Sequence, residues 1–303
     1  MVSLLRKLIS DKNDRMLFVG MVVIAANSGG AWSPIGDVTT TMLWIGGQVT
    51  TQTIVLKLFF PSLVSLFVPL IAMLYMLKGD TDKPIAAIDD DKPTATPLER
   101  NIIFISGIGV LLFVPVFKTI THLPPFMGML FGLGILWIIS EILHKDKDEI
   151  DKSQYSVLHA LKKNDMPSVL FFLGILIAIS ALQATGQLSQ LAAYMTEKIA
   201  NINLIVISIG LFSSIVDNVP LVAASMGMYD LTVFPPDHYF WEFLAYCAGT
   251  GGSVLIIGSA AGVGAMGMEK IHFFWYFKKI SLLALLGYFA GAIVYILQNR
   301  ILG

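Results

Sequence analysis

Apolar runs of membrane length recur along this chain, and two of them are interrupted in the same way by a glycine-rich segment. The first interruption, Asn27 to Asp37, reads Asn-Ser-Gly-Gly-Ala-Trp-Ser-Pro-Ile-Gly-Asp. The second, Gly249 to Ser259, lies 222 residues later and reads Gly-Thr-Gly-Gly-Ser-Val-Leu-Ile-Ile-Gly-Ser. In hydrocarbon, unwound backbone is tolerated only where it is buried in protein or lines a watery cavity. A matched pair of such breaks predicts a transporter whose binding site lies near the middle of the membrane.

The composition supports a membrane location. Hydrophobic residues make up 55% of the 303 positions, and the mean hydropathy is +0.75, well above that of ordinary soluble domains. The net charge of −1 carries no nucleic-acid signature, and the single cysteine, Cys247, excludes an internal disulfide. We predict an all-α, multi-pass integral protein of a plasma or inner membrane, which is not an enzyme and needs no cofactor.

The distribution of positive charge predicts the orientation. If residues 202–232 enter and leave the membrane on the same side, as a re-entrant hairpin, sixteen of the twenty Lys and Arg residues lie on one side and three on the other. If this stretch crossed the membrane, the bias would fall to thirteen against six. The stronger bias favours the hairpin and assigns the cation-rich side to the cytoplasm.

An acidic residue lies within this hairpin. Asp217 stands in an apolar stretch that carries no Lys or Arg, and an ionisable group in such a place usually faces a cavity and has a function. One carboxyl there can hold a proton or a hard cation but not both comfortably, which is the minimal chemistry of cation/proton exchange. Asn218, Ser213 and Ser214 add neutral oxygens of the kind that hard cations prefer.

The two breaks supply further candidate ligands. Unwound carbonyls and the ends of half-helices can coordinate Na⁺, which makes the backbone at both Gly-Gly pairs a candidate. The backbone positions are Gly29, Gly30, Gly251 and Gly252, and the accompanying side chains are Asn27, Asp37, Thr39, Thr40, Ser253 and Ser259. Because Ser259 occupies the repeat position of Asp37, the two breaks are chemically unequal.

Structural roles stay open for these residues. Asp37 can cap the half-helix that follows it, and Asp217 can be a hydrogen-bonded hairpin tip. Gly-Gly pairs in membrane spans can serve close helix packing alone. Glu242, at the start of the second broken span, is expected at the membrane interface.

At these residues the chain resembles the NhaD-type sodium/proton antiporters of the ion transporter superfamily. The resemblance covers nearly the whole chain and is strongest over residues 27–44, 213–231 and 249–269. It implies an inverted-repeat transporter in which each repeat has a re-entrant hairpin followed by a broken helix. The functional positions that match are Asn27, Asp37, Thr39, Thr40, Ser213, Asp217 and Asn218.

The resemblance also divides the chain. It implies a transport-type bundle made of residues 1–78, an incomplete first repeat, and 202–303, the second repeat. Residues 79–101 are expected to form a cytoplasmic loop, and 102–201 to form scaffold spans with a short surface helix. The family carries an Asp-Asn hairpin tip ahead of each break, and here the first tip would fall before Met1. We therefore expect the C-terminal portion of a longer antiporter.

The predicted function is secondary active exchange of cytoplasmic Na⁺ or Li⁺ for H⁺, with Na⁺ held by Asp217 and Asn218. The expected partners are the lipid bilayer and the transported ions, and a homodimer is compatible with the sequence. Two alternatives stay open: a sodium-coupled symporter of dicarboxylates or another anion in the same superfamily, and a truncated membrane protein that does not transport.

Overall fold

Helices make up the regular structure of the chain wherever it is described. The computed structural model describes residues 1–77, 96–145, 166–199 and 201–302. Among these residues, four helices are long and apolar enough to cross a membrane: Thr51–Leu74, Pro97–Thr121, Pro125–Leu143 and Ser281–Ile301. The predicted all-α, multi-pass membrane protein is confirmed.

The chain forms two compact units, one of Met1–Ala87 with Ile175–Gly303 and the other of Ile88–Gly174. The smaller unit holds α5, α6 and the beginning of α7. In chain order the helices are α1 (Val2–Leu8), α2 (Lys12–Ala31), α3 (Val38–Ile45), α4 (Thr51–Leu74), α5 (Pro97–Thr121), α6 (Pro125–Leu143), α7 (Met166–Ala184), α8 (Gln187–Ile199), α9 (Ile202–Val216), α10 (Asn218–Met228), α11 (Tyr239–Gly251), α12 (Ala260–Glu269), α13 (Phe273–Lys279) and α14 (Ser281–Leu302).

In the smaller unit, α5 and α6 form a helical hairpin. α5 begins with a capping box, in which the Thr96 side chain and the Glu99 carboxylate each accept a backbone N–H of the other residue. A short turn leads from α5 into α6, and Phe113 packs against Phe131 across the pair. The short surface helix predicted within residues 144–166 and most of the predicted loop at 79–101 lie outside the described residues.

Both predicted broken helices are present, but their breaks begin later than predicted. α2 continues through Gly29 and Gly30 and ends at Ala31, so that the irregular segment covers residues 32–37. Pro34 explains this end, because proline has no N–H to continue the helical hydrogen bonds and disfavours helical backbone in the residue before it. In the second broken helix, α11 ends at Gly251 and the irregular segment covers 252–259.

The two broken helices run in opposite directions. Arg15, near the start of α2, forms an ion pair at 3.0 Å with Glu269 at the end of α12. At the opposite end of the bundle, the N–H of Thr50, just after α3, donates to Asp237, just before α11, at 2.6 Å. The start of each broken helix therefore lies beside the end of the other, which is the arrangement of an inverted repeat.

The predicted hairpin over residues 202–232 is present as the helix pair α9 and α10. These helices have 15 and 11 residues, whereas a single crossing needs about 20. The hydroxyl of Tyr239, the first residue of α11, donates to Asn203 at the start of α9 at 2.6 Å. Tyr229, just beyond α10, packs against Phe240 with ring centroids 4.7 Å apart. Both ends of the hairpin therefore lie beside the start of α11.

Candidate functional site

The two breaks and the hairpin tip meet inside the larger unit. Asn218 Nδ2 donates to Asp37 Oδ2 at 3.2 Å, which joins the hairpin to the first break. Asn27 Nδ2 donates to Ser259 Oγ at 3.0 Å, which joins α2 to the second break. Asn27, Asn218 and Ser259 are all buried. Three segments that are far apart in sequence thus contribute polar side chains to one place.

Asp37 stands at the N-cap position of α3, in extended backbone with φ −140° and ψ 149°. Its carboxylate lies near the first amides of the helix but does not make the side-chain cap hydrogen bond that Ser259 makes with the N–H of Gly262 at 3.2 Å. Instead, Oδ2 accepts from the Thr39 hydroxyl and from Asn218. The position of Asp37 is that of a cap, whereas its contacts point toward the hairpin.

Asp217 forms the tip of the hairpin in unusual backbone geometry. Its φ of 79° and ψ of 142° lie close to a region of backbone conformation that is almost reserved for glycine, and a non-glycine residue there costs about 1–3 kcal/mol. Its side chain is half-buried, near the amides of Asn218 and Val219 that begin α10. Strain of this kind persists where the surrounding structure fixes it, commonly at functional sites.

The two breaks have matching backbone folds at the 222-residue offset. The N–H of Gly36 donates to Ser33 O at 3.1 Å, and the N–H of Gly258 donates to Leu255 O at 3.0 Å. A Cβ at Gly30 would lie 2.9 Å from the carbonyl oxygen of Gly36, and one at Gly252 would lie 2.8 Å from that of Gly258. The second glycine of each Gly-Gly pair therefore lets the end of the helix touch the returning chain.

The predicted serine ligands make other hydrogen bonds. The hydroxyls of Ser213, Ser214 and Ser253 each donate at 2.7 Å to the carbonyl three residues earlier in the chain. Thr40 donates to Ala31 O at 3.5 Å, beside the first break. Among the described residues, these hydrogen bonds form two groups: Asn27 with Ser259, and Thr39 and Asn218 with Asp37. Neither group includes the three serines.

Sequence reasoning missed the partners of Glu242. It lies in the first turn of α11, and its side chain is 0% exposed, because α4 and α14 pack against α11 there. Its Oε1 lies 3.1 Å from Lys57 Nζ, and the Tyr295 hydroxyl donates to Oε2 at 2.6 Å. The sequence does contain a signal for this pair: Lys57 and Glu242 lie inside two different apolar runs. Charged residues in such runs usually pair with each other.

Broken helices that run in opposite directions, with a re-entrant hairpin between their centres, define the architecture of inverted-repeat secondary transporters. Comparison with known proteins agrees. Residues 1–241 match the sequence model of a family described as "Citrate transporter". The chain belongs to this family, and within it to the NhaD-type sodium/proton antiporter group, as the resemblance predicted.

Named relatives give the same picture. Sodium/proton antiporter 1 of Arabidopsis thaliana is 52% identical over 303 residues, which cover 99% of this chain and 52% of that protein. Sodium/proton antiporter 2 of the same plant is 49% identical over 98% of this chain and 70% of its own length. The Na⁺/H⁺ antiporter NhaD of Vibrio cholerae is 30% identical over 92% of this chain and 61% of its own length. The chain thus spans about half the length of the first of these relatives. No solved structure matches it.

Proposed function

We propose that the protein exchanges cytoplasmic Na⁺ or Li⁺ for H⁺. The observation that carries this proposal is the contact of Asn218 with Asp37 at 3.2 Å, beside the Asp217 tip. It brings two membrane-embedded carboxyl groups and a neutral amide to one place. The names of the relatives support the same activity, which they state for those proteins.

The chemistry follows from the two carboxylates. Asn218 follows Asp217 in the chain and donates to Asp37, so a cation bound beside both carboxylates, or a proton on one of them, reduces the repulsion between like charges. Oxygen atoms of Asn218 and Thr39 and the carbonyls at the break ends complete a set that suits a hard cation. We propose that Asp217 and Asn218 hold Na⁺ and that protonation of the carboxyl groups releases it. One site then serves both ions in turn, which is the condition for exchange.

The donor set suits a hard cation. Carboxylate, amide and hydroxyl oxygens are the ligands that hard cations prefer, whereas many transition-metal sites use imidazole or thiolate ligands. Within that class, the choice of Na⁺ is supported by the names of the relatives.

We further propose a division of labour within the chain. Residues 1–78 and 202–303 form the transport bundle, because both breaks and the hairpin lie in them. Residues 102–201 act as scaffold.

The test measures Na⁺-driven proton flux in vesicles that contain the full-length protein. Asp217→Asn keeps the size of the side chain and removes its charge and its proton, so flux should be lost. Asp230→Asn is the matched control, because Asp230 is exposed and accepts a hydrogen bond from the Thr232 N–H at 2.7 Å, which asparagine can also accept. Its flux should stay at the wild-type level.

Retained exchange in Asp217→Asn would contradict the role of this carboxyl group. Uptake of labelled citrate that depends on Na⁺, with no proton counter-flux, would favour the anion symporter instead. The absence of any cation flux in the wild-type protein would remove the proposal altogether.

A further inference from the structure

Each end of the second broken helix carries a buried acid that the ion site does not use. Glu242 lies in the first turn of α11 and is 0% exposed, and Glu269 is the last residue of α12 and is 4% exposed. The basic partners of both acids come from the first repeat. They are Lys57 on α4, Arg15 on α2 and Arg6 on α1. The two acids lie at opposite ends of the bundle, with the second break between them.

The pair at the cation-poor end joins three helices. Glu242 Oε1 lies 3.1 Å from Lys57 Nζ, and Tyr295 on α14 donates its hydroxyl to Oε2 at 2.6 Å. Gln298, also on α14, donates to the backbone carbonyl of Lys57 at 3.2 Å. α11 is thereby fixed against α4 and α14, through a charge that is fully removed from solvent.

The pair at the cation-rich end fixes the other half of the broken helix. Arg15 Nε donates to Glu269 Oε2 at 3.0 Å, and Arg6 Nε donates to Oε1. Arg15 also donates to the carbonyl of Ile9 at 3.0 Å, in the link between α1 and α2. α12 is thereby fixed against α1 and α2.

Two separate attachments are needed because the helix is broken. Continuous backbone hydrogen bonds make an unbroken helix behave as one rod, but they are interrupted over residues 252–259. The position of α11 therefore does not determine that of α12. At the break itself, the side-chain link to the first repeat is the Asn27–Ser259 hydrogen bond at 3.0 Å, and a neutral hydrogen bond is weaker than one to a charged group.

We propose that Glu242 and Glu269 are positioning residues, which hold the second break in register with the first through their ion pairs. They bind neither the cation nor the transported proton. Their ion pairs set the distance between two hydrogen-bonded pairs of the site, Asn27–Ser259 and Asp37–Asn218. The kinetic test of this inference rests on the proposed function. A second test, of hydrogen exchange, does not depend on that function.

The kinetic test uses the full-length protein in vesicles and the variant Glu242→Gln. Glutamine keeps the acceptor for Tyr295 and removes the charge, and Lys57, whose side chain is 43% exposed, can extend toward water. The apparent KM for Na⁺ should rise by about two- to thirtyfold, and the Na⁺/Li⁺ preference should change, because the two hydrogen-bonded pairs of the site lose their register. A role in folding alone would lower the yield and leave both quantities unchanged, and that result would overturn the inference.

The matched control is Glu197→Gln. Glu197 pairs with Lys198 at the same 3.1 Å separation, but both side chains are more than half exposed, and exposed pairs contribute little. Its KM and ion preference should equal those of the wild type. The charge-exchanged double variant Lys57→Glu/Glu242→Lys should bring the KM back toward the wild-type value.

The second test measures amide hydrogen exchange without any cation gradient. The N–H of Gly258 donates to Leu255 O inside the second break, and its exchange should be faster in Glu242→Gln than in the wild type or in Glu197→Gln. Unchanged protection in the variant would overturn the inference. If the wild-type protein shows no Na⁺/H⁺ exchange, the proposed function fails, and this measurement still decides whether the ion pairs position the break.

Discussion

At the scale of single residues, two adjacent glycines in the last turn of α2 have different surroundings. A Cβ at Gly29 would have no heavy atom within 4 Å, whereas one at Gly30 would lie 2.9 Å from both Gly36 O and Asp37 Cβ. Gly30 is therefore required by the close approach of the chain that carries Asp37. Gly29 is an ordinary helical glycine, although the sequence pattern treats the two alike.

This difference predicts opposite effects of the same substitution. Gly29→Ala should stabilise the protein by about 0.5–1 kcal/mol, because alanine favours a helix over the flexible unfolded chain. Gly30→Ala should destabilise it by about 1–3 kcal/mol through overpacking against backbone, and should also displace Asp37. Thermal unfolding of the two purified variants checks this, and equal midpoints would contradict it.

The sequence predicted which polar side chains the fold brings together better than it predicted their exact surroundings. Asn27, Asp37 and Asn218 could be found because a polar side chain in an apolar run of membrane length is a strong local signal. The end of α2 was misplaced because the pattern drew attention to the glycines, whereas Pro34 determines where the helical hydrogen bonds stop. The burial of Glu242 could not be predicted locally, since it depends on which distant helices cover α11.

At the scale of elements, α4 and α14 show how a proline inside a membrane helix is accommodated. Pro61 has no N–H, so the carbonyl of Lys57 lacks its helical donor. Gln298 on α14 supplies the missing donor from Nε2 at 3.2 Å. A defect in one helix is thus satisfied by its neighbour, which is how prolines are tolerated in membrane spans.

The two positions should therefore be energetically coupled. Gln298→Leu should cost about 1 kcal/mol in the native sequence, because it leaves a partly buried carbonyl without this hydrogen bond. The same change in a Pro61→Ala background should cost less, since alanine restores the helical donor. Unfolding of the wild type, both single variants and the double variant gives the coupling energy. Additive effects would show that the hydrogen bond is not what Gln298 contributes.

At the scale of the whole molecule, the topology of residues 202–302 follows from the hairpin. Both ends of α9–α10 lie beside the start of α11, and the broken helix and α14 then cross in opposite directions. This supports the orientation chosen from the distribution of Lys and Arg. The hairpin was predictable because Lys and Arg are distributed more unevenly between the two sides if residues 202–232 do not cross the membrane.

Chemical labelling tests this topology, because the native Cys247 is fully buried and should stay unlabelled. Three exposed positions are useful, and they are Lys198, Asp230 and Lys270. A membrane-impermeant maleimide should label Lys198→Cys and Asp230→Cys from outside intact cells, and Lys270→Cys only after permeabilisation. Labelling of 198 and 230 from opposite sides would mean that the hairpin crosses the membrane.

The backbone of Asp217 has a consequence for engineering. Glycine would adopt its φ of 79° without steric cost, so the aspartate is retained there against the local preference of the chain. A directed-evolution campaign that scores only thermostability would reward replacement of this residue, whatever the residue contributes to the proposed exchange. Selection for a more durable form of this protein therefore has to assay the proposed Na⁺/H⁺ exchange from the first round.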